Sequence, residues 1–212
     1  MRIAELEQQN KELRDENKIK EDFRKEFQKL LRRAMGVDVT LDKNTMNPYL
    51  RVSEDGRSVW WTDQRQNLPD NPERFDEYPC VLGNRLPAEM RWGCYWEVVV
   101  GNKKSWELGV ARDSVFRKGQ LSLSPENRFW VLSLWDGKLT ALTDPETSLD
   151  TKIPTSLGIH VDYEEKKVSF YNAVDGSHIY TFEDKIYRNI QPFFSPGNND
   201  TDPLRITEPL GE

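Results

Sequence analysis

The stretch FWVLSLWDGKLTAL, residues 129–142, decides the fold class. Two short apolar runs, Phe129–Leu134 and Lys138–Leu142, flank Asp136-Gly137, a dipeptide that adopts positive φ readily and closes a tight antiparallel hairpin. The same texture extends outward from it. Tyr95–Val100 and Trp106–Ala111 lie upstream across Gly101-Asn102, and Leu157–Val161, Val168–Asn172, His178–Phe182 and Ile190–Phe194 lie downstream, with further turns at Asp55-Gly56 and Asp175-Gly176. Short strands at these intervals, with no intervening segment of crossover-helix length, predict an antiparallel sandwich rather than a βαβ fold.

The first 35 residues follow different rules. From Ile3 to Ala34 there is no Gly or Pro, and Glu, Lys, Arg, Gln and Leu dominate, which predicts one continuous helix over residues 1–35. With Ile3 at heptad position a, the a row reads Ile3, Asn10, Asn17, Arg24, Leu31 and the d row Leu6, Leu13, Lys20, Phe27, Ala34. Paired amides at a fix register in parallel two-stranded coils, so Ile3, Leu6, Asn10, Leu13, Asn17, Phe27 and Leu31 form the expected seam of a parallel coiled-coil homodimer or a heterodimer with a close paralogue. The seam breaks at Lys20 and Arg24, where Phe23, Phe27, Leu30 and Leu31 widen into a face suited to docking on the next domain. A solvated, unpaired charged helix is the competing reading.

Composition narrows the function classes. In 212 residues, 36% are hydrophobic and 11% aromatic, with seven Trp, too much bulky apolar area for a disordered chain. The formal charge is −6; residues 1–35 hold ten basic and eight acidic side chains, so +2 sits there and −8 on the remainder, the wrong sign for a nucleic-acid binder. The basic group Arg112, Arg117, Lys118 beside Phe116 is interrupted by Asp113 and reads as a solvated loop. No run approaches the ~20 apolar residues of a membrane span, and the N-terminus carries no signal-peptide pattern. Cys80 and Cys94 fit two buried thiols of a reducing compartment, and Asn199-Asp200-Thr201 matches a glycosylation triplet of a kind common by chance.

Catalysis finds little support. The only histidines, His160 and His178, fall in strands; the two cysteines lack zinc-site spacing; and no Gly-rich phosphate loop is present. Asp162 and Glu164 share a strand face by period two, a superficial likeness to a glycosidase acid pair. No metal and no cofactor are expected.

Longer motifs carry a resemblance. Leu41-Asp42-Lys43, Asn47-Pro48, Leu68-Pro69-Asp70-Asn71-Pro72-Glu73-Arg74-Phe75 and Cys80-Val81-Leu82-Gly83 resemble the PRY half of a PRY-SPRY domain, with Lys43 where Pro is usual. Tyr95-Trp96-Glu97-Val98, Leu108-Gly109-Val110, Asp113-Ser114-Val115, Val161-Asp162-Tyr163-Glu164 and Ser169-Phe170-Tyr171-Asn172 resemble the SPRY half. The match runs in order from about Val37 to Pro209, placing PRY at about 37–86 and SPRY at about 87–209 of a domain covering 36–212. The resemblance implies a mainly β fold, a bent antiparallel two-sheet β-sandwich of the concanavalin-like jelly-roll kind, whose loops form a protein-binding face. Two parent families carry this domain behind a coiled coil, the butyrophilins and the tripartite-motif ubiquitin ligases. With neither a membrane span nor a RING-type cluster in the sequence, the chain is expected to be a fragment of either. Asn172–Ile179 and Asp70–Phe75 look butyrophilin-like, whereas Phe193–Asn198 is similar to tripartite-motif members.

The resemblance also implies sites. The Fc-binding tripartite-motif pocket falls on Glu107, Leu123, Ser133, Trp135 and Asn198, which keeps the acid and one tryptophan and loses two aromatic anchors, so Fc is not the expected ligand. The basic set with which some butyrophilins hold a phosphoantigen falls on Tyr78, Glu107, Ser122, Thr140 and Glu146, so no phosphoantigen is expected. Trp60-Trp61 adds aromatic surface, with one of the two directed to solvent or a partner. Trp135 beside its turn reads either as an exposed anchor or as a core residue. The expected function is a non-catalytic recognition and signalling module. It is read as the cytosolic part of a single-pass butyrophilin-like immune regulator, or alternatively as the substrate-recognition domain of a soluble tripartite-motif ligase. A membrane would enter only through a span upstream.

Overall fold

The computed structural model describes residues 2–209 except 88, 91, 185 and 187; residue 1 and residues 210–212, at the outer ends of the two expected segments, lie outside the described residues. Helix α1 spans Arg2–Met35. It stops at Gly36, where a Cβ would stand 2.3 Å from the Arg32 carbonyl oxygen, so only glycine lets the chain turn onto the sandwich there.

Thirteen strands follow among the described residues: β1 Leu50–Val52, β2 Ser58–Trp61, β3 Val81–Leu82, β4 Cys94–Val99, β5 Ser105–Arg112, β6 Phe129–Trp135, β7 Lys138–Ala141, β8 Thr147–Ser148, β9 Ser156–Asp162, β10 Lys167–Asn172, β11 His178–Glu183, β12 Ile190–Ser195 and β13 Leu204–Ile206. They form two antiparallel sheets, β1-β2-β13-β4-β9-β10-β11 and β3-β12-β5-β6-β7-β8. The eight strands read from the sequence are all present, each end within one residue. Those not anticipated, β1, β2, β3, β8 and β13, are two to four residues long, too short to show alternation. The β6–β7 turn has Asp136 at φ 46° and Gly137 at φ 75°, the left-handed pair expected of a two-residue primed turn.

Strand alternation divides the six-stranded sheet into two faces. Even-numbered Trp106, Leu108 and Val110 of β5 and Trp130, Leu132 and Leu134 of β6 join the core between the sheets, with Trp96, Ile159 and Phe170 opposite. Odd-numbered Phe129 and Val131, with Phe193 of β12, pack outward into a second cluster around Phe75 and Cys80 of the PRY segment. Other odd positions of the same strands, Ser105, Glu107, Ser133 and Trp135, continue beyond that cover.

Two expectations change. Leu31, read as a seam residue, is 4% exposed and buried where the end of α1 packs on β4. Its neighbour Gln28 is 5% exposed, while Ile3, Leu6, Asn10, Leu13, Asn17 and Phe27 remain exposed. Docking takes one residue of the a row because the last turns of α1 cover the outer side of β4, at Tyr95 and Glu97. The supposed acid pair also dissolves: β9 ends at Asp162, whose Oδ1 accepts the Glu164 and Glu165 N–H groups at 2.9 and 2.8 Å, so Glu164 belongs to a turn.

Candidate recognition face

Register assembles the face. Ser195 of β12 stands opposite Glu107 of β5, Glu107 opposite Ser133 of β6, Ser133 opposite Thr140 of β7, and Thr140 opposite Ser148 of β8. One polar row thus crosses the outer surface of the sheet where the apolar cover of Phe75 and Phe193 ends. Ser105 pairs with Trp135 in the next row.

Tyr78, Glu107, Ser133, Trp135 and Asn198 all line one cavity of about 270 Å³, with Pro79, Ser105, Ser195 and Gly197. Trp135 is 62% exposed, a surface residue rather than a core side chain. Leu123 is half-buried in the neighbouring basin of about 510 Å³, which shares Tyr78 and Glu107 and adds Ser122, Glu126, Asp144 and Glu146. Trp60 and Trp61 line a third recess, about 540 Å³, joined to the first through Asn198. Both tryptophans are half-buried rather than one exposed and one covered. Trp61 stacks on Tyr49 at 5.1 Å between centroids, which holds it partly against the sandwich.

Glu107 is the chemical centre of the first two recesses. Its two carboxylate oxygens each lie 2.8 Å from the Tyr78 hydroxyl, and Ser195 provides a second hydroxyl. Burial holds its carboxyl above the ordinary carboxylate range, opposed by those hydrogen bonds. Among the described residues, no Lys or Arg lines either recess. A group able to meet Glu107 therefore brings a hydrogen-bond donor or a positive charge, and Trp135 offers it an aromatic wall.

The loop after β12 is pinned from beneath. Lys103 pairs with Asp200 and donates to the Asp202 carbonyl at 2.8 Å, and Ser105 Oγ lies 2.5 Å from Asn199 Oδ1. These supports and the lining residue Ser195 were not anticipated. The period-two step from Glu107 to Ser105 was the signal for one of them; Ser195, Asn199 and Asp200 depend on register, which no local pattern shows.

The other candidates have structural roles. The thiol of Cys94 is pushed up to about 11 by burial, and Cys80 is fully buried with its thiol raised likewise; both are free. His160 is buried near the Trp92 carbonyl, and His178 contacts Thr181. Arg117 donates to the Glu73 and Asp113 carbonyls and covers the Phe75 ring, while Lys118 pairs with Asp70, so these cations tie loops together. Among the described residues, no cluster of three or more His, Cys, Asp or Glu is placed to hold a metal, and no helix is long and apolar enough to cross a membrane.

Comparison with known proteins gives two matching family models, PRY, described as an SPRY-associated domain, over residues 39–85, and the SPRY domain over residues 93–206. Mouse E3 ubiquitin-protein ligase TRIM21 is 48% identical over 174 residues, covering 81% of this chain and 37% of that protein. Bovine butyrophilin subfamily 1 member A1 is 39% identical over 201 residues, covering 94% of this chain and 38% of that protein. The human counterpart is 41% identical over 198 residues, covering 92% and 37%. The chain thus spans under two fifths of the length of these relatives. Among solved structures, a stonustoxin structure superposes with a TM-score of 0.69 at 29% identity over 81% of this chain and 29% of that one. The TRIM65 PSpry domain superposes at 0.70 with 22% identity, over 85% and 93%, a likeness of fold.

Proposed function

The chain belongs to the PRY-SPRY family, and on that premise we propose that it is a non-catalytic protein-recognition module whose ligand site is the cavity around Glu107 and Trp135. The observation that carries the proposal is convergence. Tyr78, Glu107, Ser133, Trp135 and Asn198, scattered over some 120 residues of sequence, line one opening that joins an acid without a lining cation to a largely exposed tryptophan. The ligand is a protein loop that places a Lys, Arg or other donor on Glu107 and an apolar or planar group on Trp135. A diphosphate would meet Glu107, Glu126, Asp144 and Glu146 with no lining cation, so the module does not bind phosphoantigens.

Of the two parent readings, the butyrophilin-like immune regulator is supported by alignment length. Similarity over 94% of the chain exceeds what residues 36–212 alone supply and so extends into α1, whereas the TRIM21 match fits within the domain. In this reading the module lies on the cytosolic side of a membrane, and its helix pairs two copies. The ligase reading is favoured by the higher identity to TRIM21, and there the same face selects the substrate. Pairing doubles the face and converts modest single-site affinity into avidity for a multivalent partner.

The test is affinity capture from cytosolic and membrane extracts with the whole chain, comparing wild type with Trp135→Ala and Glu107→Gln. Specific partners should be lost with both variants, a weakening of about tenfold or more for Trp135→Ala. Partners retained by both variants would place recognition elsewhere.

A further inference from the structure

Trp60 and Trp61 take no part in the mouth around Glu107, yet the recess they line, about 540 Å³, is larger than either the mouth or the basin. It falls within the size of ordinary small-ligand sites. Its opposite wall is polar: Asp63 just after β2, and Asn198, Asn199 and Asp200 of the loop after β12. Both walls are held before any ligand arrives. Trp61 stacks on Tyr49, while the loop is fixed by Lys103, which pairs with Asp200, and by Ser105 Oγ, 2.5 Å from Asn199 Oδ1. A site with ordered walls loses little freedom on binding.

The donors and acceptors left over describe the occupant. Asp200 Oδ1 is taken by Lys103 and by the Asp202 N–H at 3.0 Å, but Asp200 Oδ2 has no hydrogen-bond partner among the described residues. Asn199, whose Oδ1 faces Ser105, keeps its Nδ2 to donate, and exposed Asn198 and Asp63 add an amide and a second carboxylate. Among the described residues, no Lys or Arg lines the recess; Arg51, opposite Trp60 on β1, lies 3.4 Å from Gln66 Oε1. An apolar side chain seated here would cover the tryptophans and leave the carboxylates and amides without partners. A Lys or Arg would answer Asp63 and Asp200 but set a cation against the amide donors. A saccharide ring answers both walls: the C–H bonds of one face pack on an indole, and each hydroxyl at its rim donates and accepts. Lys103 already offsets Asp200, and Asp63 has no cation beside it in the lining, so an acidic sugar would be repelled.

We propose that the recess between Trp60-Trp61 and the loop after β12 is a binding site for a neutral saccharide. It meets the mouth at Asn198, so a protein that carries such a saccharide engages both openings at once, its loop at Trp135 and its sugar at Trp60.

The test is titration of the full chain with defined oligosaccharides of glucose, galactose, mannose and N-acetylglucosamine, beside their sialylated and sulfated counterparts. At least one neutral saccharide should bind, and its acidic counterpart should bind about tenfold more weakly. Trp60→Ala should weaken that binding about tenfold or more, and Trp60→Phe, which keeps a stacking face, should retain most of it. Asp63→Ala, at an exposed loop position, should weaken it about threefold, with urea unfolding used to confirm that each variant folds. No binding of any saccharide at about 10 mM would overturn the proposal. Binding kept by both Trp60→Ala and Asp63→Ala would overturn it too, by placing the sugar elsewhere. A lysine-containing peptide that binds through Trp60 where every sugar fails would make the recess a second protein contact instead.

Discussion

Two tyrosine–glutamate pairs on this sandwich have the same chemistry and different fates. At the mouth, Tyr78 bonds Glu107 of β5. At the helix junction, Tyr95 lies 2.9 Å from Glu97 of β4 and 2.5 Å from the Gln28 amide, with Arg32 of α1 3.4 Å from the other Glu97 oxygen. The Tyr95 hydroxyl, with one proton, faces two acceptors, Gln28 Oε1 and Glu97 Oε1, and so links α1 to β4. The junction carboxylate is thus matched by a cation from the chain's own helix and by the Tyr95 hydroxyl. The mouth carboxylate is matched only by hydroxyls and faces open space. A buried acid whose cation comes from its own chain is structural, and one left without a cation at an opening is available to a ligand.

The sharpest way to break the junction alone is Gly158→Ala. A Cβ at this β9 position would stand 2.3 Å from the Tyr95 hydroxyl, so the ring must leave Glu97 and Gln28. The expected loss is about 2–4 kcal/mol in urea unfolding, with partner capture at the mouth retained under native conditions. A loss under 0.5 kcal/mol would mean that Tyr95 does not hold the junction.

A milder exchange compares the two acids directly. Glu97→Gln keeps a hydrogen-bonding group but leaves Arg32 without its carboxylate, at an expected cost of about 1 kcal/mol. Glu107→Gln still accepts from Tyr78 and Ser195 and should stay within about 0.5 kcal/mol of wild type while losing the partner. The reverse pattern would exchange the two roles.

How much of this was legible in the sequence follows from which interactions are local. Alternation in Phe129–Leu134 and the Asp136-Gly137 turn are local, and they placed the hairpin that presents Trp135. The resemblance placed Glu107, Ser133, Trp135 and Asn198, but the row from Ser195 to Ser148 is a product of register across five strands, and nothing near Ser195 signals Glu107. Leu31 failed as a seam residue for the same reason. Its heptad position is a property of the helix, whereas its burial is a property of the β4 surface some sixty residues away, and the sequence shows only that Phe23, Phe27, Leu30 and Leu31 exceed what one narrow seam needs. Gly176, at φ 72° in a hairpin turn, shows both kinds of constraint: the turn was readable from Asp175-Gly176, but the Arg24 carbonyl 2.7 Å from where a Cβ would sit was not.

The smallest effect is in pH dependence, and its sign is fixed. Burial raises both Glu97 and Glu107 above the ordinary 4.5 in the folded chain, so each folded carboxyl holds its proton more tightly than the unfolded one. Their contribution is complete below about 4.5 and is lost as pH rises through the raised folded values. His160, held down by burial, acts oppositely, its contribution being lost as pH falls below 6.5, so the wild-type profile alone mixes the terms. The difference between wild type and Glu107→Gln isolates one of them. The variant should gain on wild type as pH rises above 4.5, read as urea midpoints across pH 4 to 7. A variant that instead loses ground over that range would mean that Glu107 is stabilised as an anion by a positive group in the fold, and the case for a cation supplied by the ligand would fail with it.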